Sequence, residues 1–402
     1  MNSRFQPVLF SFCQFLGTFI FWSVFLQLPV HLEDLGIRGN ANGFIIALIS
    51  LTAVIMVVPL GFLSDRLSPR RLCLLGSVSF FLYMLGLRVV TSYWAIVGVT
   101  LLGGVAMLFY QLPLNALYLK LIHSRARGQR IGWLLLALFI GYSSGGFFGG
   151  VYLQNHSMES LLLINASLCV PLFLMTCFLQ DSKPIPFHIS FYGRDLWRKE
   201  VLVLLLLVVA LGIHAGSERS ALTLFMKRTI SLERSEIGFV YLIVGSWLGI
   251  IALLTGFLFD RKRNAYLIII SGLCISGLTH LLTPVLAKGF TSMVLVRSVH
   301  TFGDGLIIFA KTAVISLIFR RARVGGHFGV QQFVSELGIF FGAGVAGFLI
   351  QYFSYGAAFY MAGGCVLAVT VLLMTQRPIF RRIDVGRGGD EELLELPEPP
   401  TR

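Results

Sequence analysis

Charged residues in this chain are bunched, and between the bunches lie twelve apolar stretches: 8–31, 42–63, 72–90, 94–118, 131–153, 159–180, 200–225, 237–259, 265–286, 291–317, 328–351 and 355–376. Each runs to about 20 residues, enough for a helix to cross a ~30 Å hydrocarbon core. Hydrocarbon offers backbone amides no partner, so stretches of this length can cross it only as helices that bond internally. Composition agrees: 56% of residues are hydrophobic and 13% charged, against about 45–50% and about 25% in soluble domains. A mean hydropathy of +0.82 excludes a water-soluble protein. The expected fold class is all-α integral membrane, with twelve transmembrane helices.

The net charge of +13 would suggest nucleic acid in a soluble chain, so the position of each basic residue matters more than the sum. Twelve spans put both termini on one face. That face receives Arg4; Arg66, Arg70, Arg71; Lys120, Arg125, Arg127, Arg130; Lys183, Arg194, Arg198, Lys199; Arg261, Lys262, Arg263; Arg320, Arg321, Arg323; and Arg377, Arg381, Arg382, Arg387, Arg402. Together these are 23 of the 32 basic residues. The opposite face receives Arg38, Arg88, Lys227, Arg228, Arg234 and Lys288. By the positive-inside rule both termini are cytoplasmic, in the cell (inner) membrane, and the partner of the basic loops is the lipid bilayer, not nucleic acid. The first apolar run is followed by no small-residue cleavage site and reads as a span, not a signal peptide. Cys13, Cys73, Cys169, Cys177, Cys274 and Cys365 fall in or at the edges of spans without metal-ligand spacing, so they read as small apolar fillers.

An internal repeat divides the chain. Gly43-Phe44 recurs as Gly238-Phe239, and Gly61 to Arg66 (GFLSDR) recurs as Gly256 to Arg261 (GFLFDR), both at an offset of 195. Gly132, Gly141 and Gly145 recur as Gly329, Gly338 and Gly342, at an offset of 197. Six spans return the chain to its starting face, so the halves are parallel repeats. The organisation expected is a six-helix lobe over 1–180, a linker over 181–199 with Pro184 and Pro186, a second six-helix lobe over 200–376, and a tail over 377–402. The whole tail over 377–402 is expected to be cytoplasmic and disordered, being acidic and Gly/Pro-rich from Gly386.

At these residues the chain resembles the major facilitator superfamily of secondary transporters. The loop after span 2, Gly61-Phe-Leu-Ser-Asp65-Arg66-Leu-Ser-Pro-Arg70-Arg71, is similar to that family's G-x-L-x-D-R-x-G-R-[RK] signature, with Ser68-Pro69 in place of the glycine. The degenerate copy carrying Asp260 and Arg261 falls where the family's second copy belongs. The resemblance implies that Asp65 and the nearby arginines latch the outward-open state by contacting helix ends of the other lobe. Span 5 carries Gly141, Gly145 and Gly149 on one face, with Gly338, Gly342 and Gly347 in span 11. This resembles the family's antiporter motif, with Gly146 where a proline is expected. Two readings of the row stay open: an antiport role and close helix packing. The family's span 4 arginine has no counterpart near Val99 and Thr100, whereas span 10 carries Arg297.

Ionisable residues inside spans are costly and are candidate functional groups by default. Arg297, His300, Asp304 and Lys311 of span 10 fall within an arc of about 60°, at ~100° per residue. Span 7 has His214 and Glu218 one turn apart, with Arg219 beside them, and span 11 has Gln332 and Glu336. Asp304 and Glu218 are the proton-site candidates, with His300 and His214 as relays. Arg297, Lys311 and Arg219 are candidates for an anionic substrate group or for partners of the carboxylates, and a purely structural salt-bridge set is a third reading. In the first half Gln14, Gln111 and Asn115 are candidate substrate hydrogen-bonding groups, and Trp22 is a candidate cavity wall. Spans 3, 6, 9 and 12 are almost purely apolar, with Asn165 and His280 as exceptions. The resemblance assigns those four to a lipid-facing scaffold and spans 1, 4, 7 and 10 to the cavity.

No phosphate-binding GxxxxGK[ST] loop is present, which argues against an ATP-driven pump. His300-x-x-x-Asp304 lacks the spacing of acyltransferase signatures and has no nucleophile, so no enzyme, no metal and no cofactor are expected; a proton gradient supplies the energy. The expected function is alternating-access transport of a small solute by a monomer. The glycine row favours proton-coupled efflux by antiport. The charge in spans 7 and 10 favours the alternative, proton-coupled uptake of a polar or anionic metabolite, and a non-transporting sensor or lipid flippase is a further class.

Overall fold

The structure is a computed structural model that describes residues 5–37, 40–122, 126–183, 189–262, 264–320 and 323–385. Among these are fifteen α-helices: α1 (Phe5–Phe25), α2 (Leu28–Asp34), α3 (Asn40–Arg66), α4 (Pro69–Val89), α5 (Tyr93–Leu121), α6 (Arg127–Tyr152), α7 (Met158–Cys177), α8 (Ile189–Leu196), α9 (Lys199–Leu224), α10 (Arg234–Arg261), α11 (Ala265–Leu286), α12 (Phe290–Ile318), α13 (Val324–Tyr352), α14 (Tyr355–Met374) and α15 (Arg377–Val385). A π-helical turn, Phe225–Thr229, prolongs α9. Eleven helices are long and apolar enough to cross a membrane. Helix α3 supplies the twelfth: its 27 residues span ~40 Å at ~1.5 Å each, and it is uncharged from 41 to 64. The short helices α2, α8 and α15 lie outside the twelve.

Helices α1 and α3–α7 form one lobe and α9–α14 the other. In the first lobe α1 packs on α6, α4 on α5 and α7, and α3 on α5; in the second α9 packs on α13, α11 on α12 and α14, and α10 on α12. The lobes meet where α3 packs on α13 and α6 on α10. Helices α1, α5, α9 and α12 are the most buried, at 50–67% of their apolar windows, against 39–44% for α4, α7, α11 and α14. The high burial of α1, α5, α9 and α12 agrees with their expected central place, whereas α6, α10 and α13, at 17–33%, are less buried than the four expected scaffold helices.

Lipid tails are as apolar as the side chains, so helices in a membrane associate through close packing, which small residues permit. A Cβ on Gly141 or Gly145 would stand 2.5 Å from the Phe15 carbonyl oxygen or 2.6 Å from that of Phe19, and one on Gly149 would collide with the Ser23 carbonyl. The glycine row of span 5 therefore seats α1 against α6 within one lobe. Gly338 and Gly342 seat α13 against Val209, Gly212 and Ile213 of α9 in the same way, but Gly347 faces open space and is not part of the row.

The Ser68-Pro69 departure has a local cause. Ser68 Oγ accepts the Arg71 N–H at 3.1 Å and Pro69 is the first residue of α4, an N-cap followed by the residue best suited to a first turn. The connector is not wholly irregular, since it contains α8. From α8, Asp195 receives the His327 Nε2 at 3.0 Å and the Arg323 guanidinium at 3.1 Å, both at the start of α13. Burial pushes the Asp195 carboxyl up, but the His327 hydrogen bond and the charges of Arg323, His327 and Arg198 outweigh it and hold the group below its ordinary 3.8.

The expectation of a disordered tail over 377–402 fails for its first part. Residues 377–385 form α15 because Ile379, Phe380 and Ile383 share an apolar face that is buried, while Asp384 Oδ1 accepts the Ala265 N–H at the start of α11, at 2.8 Å. The tail from Gly386, the linker prolines Pro184 and Pro186, and Arg4, Arg38, Arg125, Arg263, Arg321, Arg387 and Arg402 lie outside the described residues, as does the Arg234 side chain.

Gly145→Val is expected to lower the detergent melting temperature, at an overpacking cost of about 1–3 kcal/mol, whereas Gly344→Ala, which meets open space, leaves it unchanged. A depressed carboxyl contributes stability above its unfolded value and loses it as pH falls through the folded one. Asp195→Asn should therefore lower the melting temperature at neutral pH, and the gap to the parent should close as pH falls below about 4.

Candidate functional site

Three helices of the second lobe bring their polar side chains to one place. His214 and Glu218 stand one turn apart on α9, and Arg297, His300 and Asp304 follow each other on α12 at steps of three and four, so each set shares a helix face. The Arg297 guanidinium pairs directly with Glu218. His300 Nε2 lies 3.1 Å from Asp304 Oδ2 and 3.4 Å from Glu218 Oε1, and His214 Nε2 lies 3.6 Å from Asp304 Oδ2. Ser276 of α11 donates its hydroxyl to Asp304 Oδ1 at 2.6 Å. Arg297 is only 2% exposed and His300 is fully buried. Arg297 therefore does not snorkel to the interface; its partner is inside the lobe.

His280 of α11 is the residue that sequence reasoning missed. The helix carrying it belongs to the scaffold, yet its ring packs 4.5 Å from that of His214 and 4.8 Å from that of His300, with Phe359 behind it at 4.9 Å. The available signal was the lone histidine in an otherwise apolar span. Neither ring nitrogen of His280 has a hydrogen-bond partner among the described residues. His214, Glu218, His280 and His300 present donor atoms that all lie within 4.8 Å of one another, the arrangement here that could hold a metal ion.

The rest of the expected stripe separates. Lys311, two turns beyond Asp304, is within electrostatic reach of Glu336, and Gln332 Nε2 donates to Glu336 Oε1 at 2.9 Å, so these three form a second polar group between α12 and α13. Arg219 is exposed. Across the lobe interface, Tyr142 of α6 lies within electrostatic reach of Arg219 and Glu218 and packs edge-on against Trp22, 4.6 Å between centroids. Trp22 thus lines the same central region. Gln14 Nε2 donates to Gln111 Oε1 at 2.6 Å, Gln111 Nε2 donates to Thr18 Oγ1 at 2.9 Å, and Asn115 Nδ2 donates to the Gln111 carbonyl at 2.7 Å. This neutral network ties α1 to α5 inside the first lobe.

The lobes are joined at the face that carries the basic loops. Asp65, at the end of α3, accepts the Gly325 and Gly326 N–H groups at 3.0 and 2.7 Å, capping α13 of the other lobe. Asp260, at the end of α10, accepts the Gly128 and Gln129 N–H groups at 2.8 Å each, capping α6 in return. Helix N-termini carry unpaired N–H groups and partial positive charge, which suits a carboxylate. The helix ends come this close because Gly61 meets Gly325 and Gly329, where a Cβ would stand 2.8 Å from the Gly325 carbonyl oxygen, and Gly128 meets Gly256. Of the arginines expected beside this latch, Arg66, Arg71 and Arg261 are exposed, and Arg70 pairs with Asp181 at 3.9 Å inside its own lobe. A basic partner of Asp65 among the described residues is Lys120, at 2.7 Å.

Removing one member of a buried ion pair leaves the other charge uncompensated, a loss of about 3–5 kcal/mol. Arg297→Met should therefore destabilise the protein strongly in detergent melts, and Arg297→Met with Glu218→Gln should recover much of that loss.

A family model described as Major Facilitator Superfamily matches residues 10–218 and again 204–394. The multi-drug resistance efflux pump PmrA homolog of Lactococcus lactis is 23% identical over 369 residues, covering 86% of this chain and 88% of that protein. The quinolone resistance protein NorA of Staphylococcus aureus is 24% identical over 392 residues, covering 94% and 97%. Among solved structures, the human organic anion transporter MFSD10 superposes with a TM-score of 0.77 at 16% identity, covering 93% of this chain and all of that one.

Proposed function

The chain belongs to the Major Facilitator Superfamily, a family of membrane transporters and not enzymes, and on that premise we propose that it is a proton-coupled efflux transporter of the cytoplasmic membrane, working by antiport as a monomer with both termini inside the cell. The observation that carries the coupling is the closed set of Glu218, Arg297, His300, Asp304 and His214 beside the lobe interface. His300 Nε2 stands between two carboxylates. Positive charge there is attracted by both, and its arrival or loss changes how Glu218 divides itself between Arg297 and His300. Tyr142, on the other lobe, lies within reach of the same carboxylate, so the charge state of the cluster is felt across the interface that alternating access must rearrange.

Efflux is supported by the names of the relatives, multidrug and quinolone resistance proteins, with which this chain aligns over most of its length. With the basic-loop face inside the cell, as proposed, the paired aspartate caps close the cytoplasmic side. In that form Tyr142, with Trp22 packed against it, offers a neutral, aromatic wall next to the charged cluster, and Gln111 and Asn115 behind it are the polar groups of the first lobe, a combination suited to a largely apolar solute with a few polar groups. Lys311 beside Glu336 favours the second reading, uptake of a polar or anionic solute with protons.

Dye and drug flux in proteoliposomes with an imposed pH gradient tests both readings. Asp304→Asn and Glu218→Gln should each abolish gradient-driven flux while the protein remains inserted and monodisperse. Gradient-driven flux unchanged in Asp304→Asn would remove this residue from the coupling mechanism. Accumulation of organic anions with protons, in place of proton-driven expulsion of drugs, would select uptake.

A further inference from the structure

The three histidines and Glu218 also ask what, besides a proton, this place in the second lobe can hold. We propose that His214, Glu218, His280 and His300 form a binding site for a divalent transition-metal ion of the zinc class. The donor set is three imidazoles and one carboxylate drawn from three helices, the nitrogen and oxygen ligands that zinc takes in four-coordinate sites. Their ligand atoms lie within 4.8 Å of one another. A tetrahedral zinc site brings ligand atoms to about 3.3 Å, so closing the widest pair takes roughly 1.5 Å of ring rotation and side-chain adjustment.

Three features point to a cation and not to packing alone. First, both nitrogens of His280 and Nδ1 of His214 are buried without a hydrogen bond among the described residues, while His214 Nε2 has only the 3.6 Å approach to Asp304. Buried polar atoms are ordinarily satisfied, and three such atoms on two rings in contact are a standing cost unless something binds them. Second, His300 Nδ1 lies 3.1 Å from the Ser276 carbonyl oxygen, to which its N–H donates. That contact leaves Nε2 as the ring's ligand atom, and a backbone carbonyl behind the ring is the usual outer support of a metal-bound histidine. Third, Nε2 of that ring faces the carboxylates of Asp304 at 3.1 Å and Glu218 at 3.4 Å. Two carboxylates at one nitrogen favour positive charge between them, and a metal ion serves there as a proton does.

The groups around the site are compatible with a divalent charge. Arg297 opposes it, but it sits on Glu218, whose carboxylate has a second oxygen and about four lone-pair sites in all. Asp304, held by Ser276 at 2.6 Å, supplies a further negative charge next to the ligands. The proposal stands on donor geometry alone, so its test reads metal binding and not flux.

The test uses the full chain, purified in detergent without a histidine tag and titrated near neutral pH with cobalt(II), whose visible absorption is strong in four-coordinate sites, and then with zinc(II) in competition. One equivalent per chain should bind in a low-coordinate environment and be displaced by zinc. His280→Phe, which keeps a ring against Phe359, and His214→Asn, which removes a ligand from another helix, should each weaken binding at least about tenfold. Zinc X-ray absorption of the parent protein should show scattering from three imidazoles, which decides the matter even where a variant fails to fold. No saturable metal in the parent protein, a water-dominated six-coordinate shell, or parental affinity in both variants would each overturn the proposal.

Discussion

Taking a carboxylate out of water costs several kcal/mol unless something nearby replaces the water, and the described structure meets this cost in two ways. At the basic-loop face, Asp65 and Asp260 are answered by the backbone N–H groups that begin α13 and α6. In the middle of the second lobe, Glu218 and Asp304 are answered by a guanidinium, imidazoles and a serine hydroxyl. The first pair holds the lobes together at one end. The second pair places a titratable charge where the lobes face each other.

The two solutions suit different tasks. Helix N-termini cannot lose a proton or swing away singly, so an Asp-to-amide cap is either made or broken by movement of a whole helix. Its strength depends on how closely the helices approach, which is why glycines lie at Gly61, Gly128, Gly256, Gly325 and Gly329. Imidazoles and carboxylates exchange protons without any movement of the backbone. On the proposed antiport reading, a transporter needs one contact that responds to lobe position and another that responds to ligand or proton, and the aspartate caps and the charged cluster would fill these two roles.

Much of this was legible in the chain because membrane physics reads a sequence almost directly. Long uncharged stretches can only be helices, and the repeated GFLSDR and GFLFDR segments identify Asp65 and Asp260 as equivalent positions before any contact is known. The polar stripe of α12 followed from helical periodicity. Periodicity says which residues share a face, however, and not what the face meets. Thus Lys311, on the same stripe as Asp304, joins Glu336 on α13, and Arg70, close to Asp65 in sequence, pairs with Asp181 while Lys120, some 55 positions distant, contacts Asp65. The tail offered another such case: RPIFRRIDV looks like a charged end, and only the presence of α11 gives its apolar face something to cover.

The sequence by itself determined that this chain crosses the membrane twelve times in two repeated halves, and which few ionisable groups must lie inside, because desolvation leaves lipid-buried chains so few alternatives. Tertiary structure decided the partnerships: Arg297 with Glu218, His300 between two carboxylates, and His280 drawn into the cluster from a helix that otherwise reads as scaffold. Those depend on helix rotation and crossing, fixed by glycine contacts between segments far apart in the chain, and no local pattern encodes them.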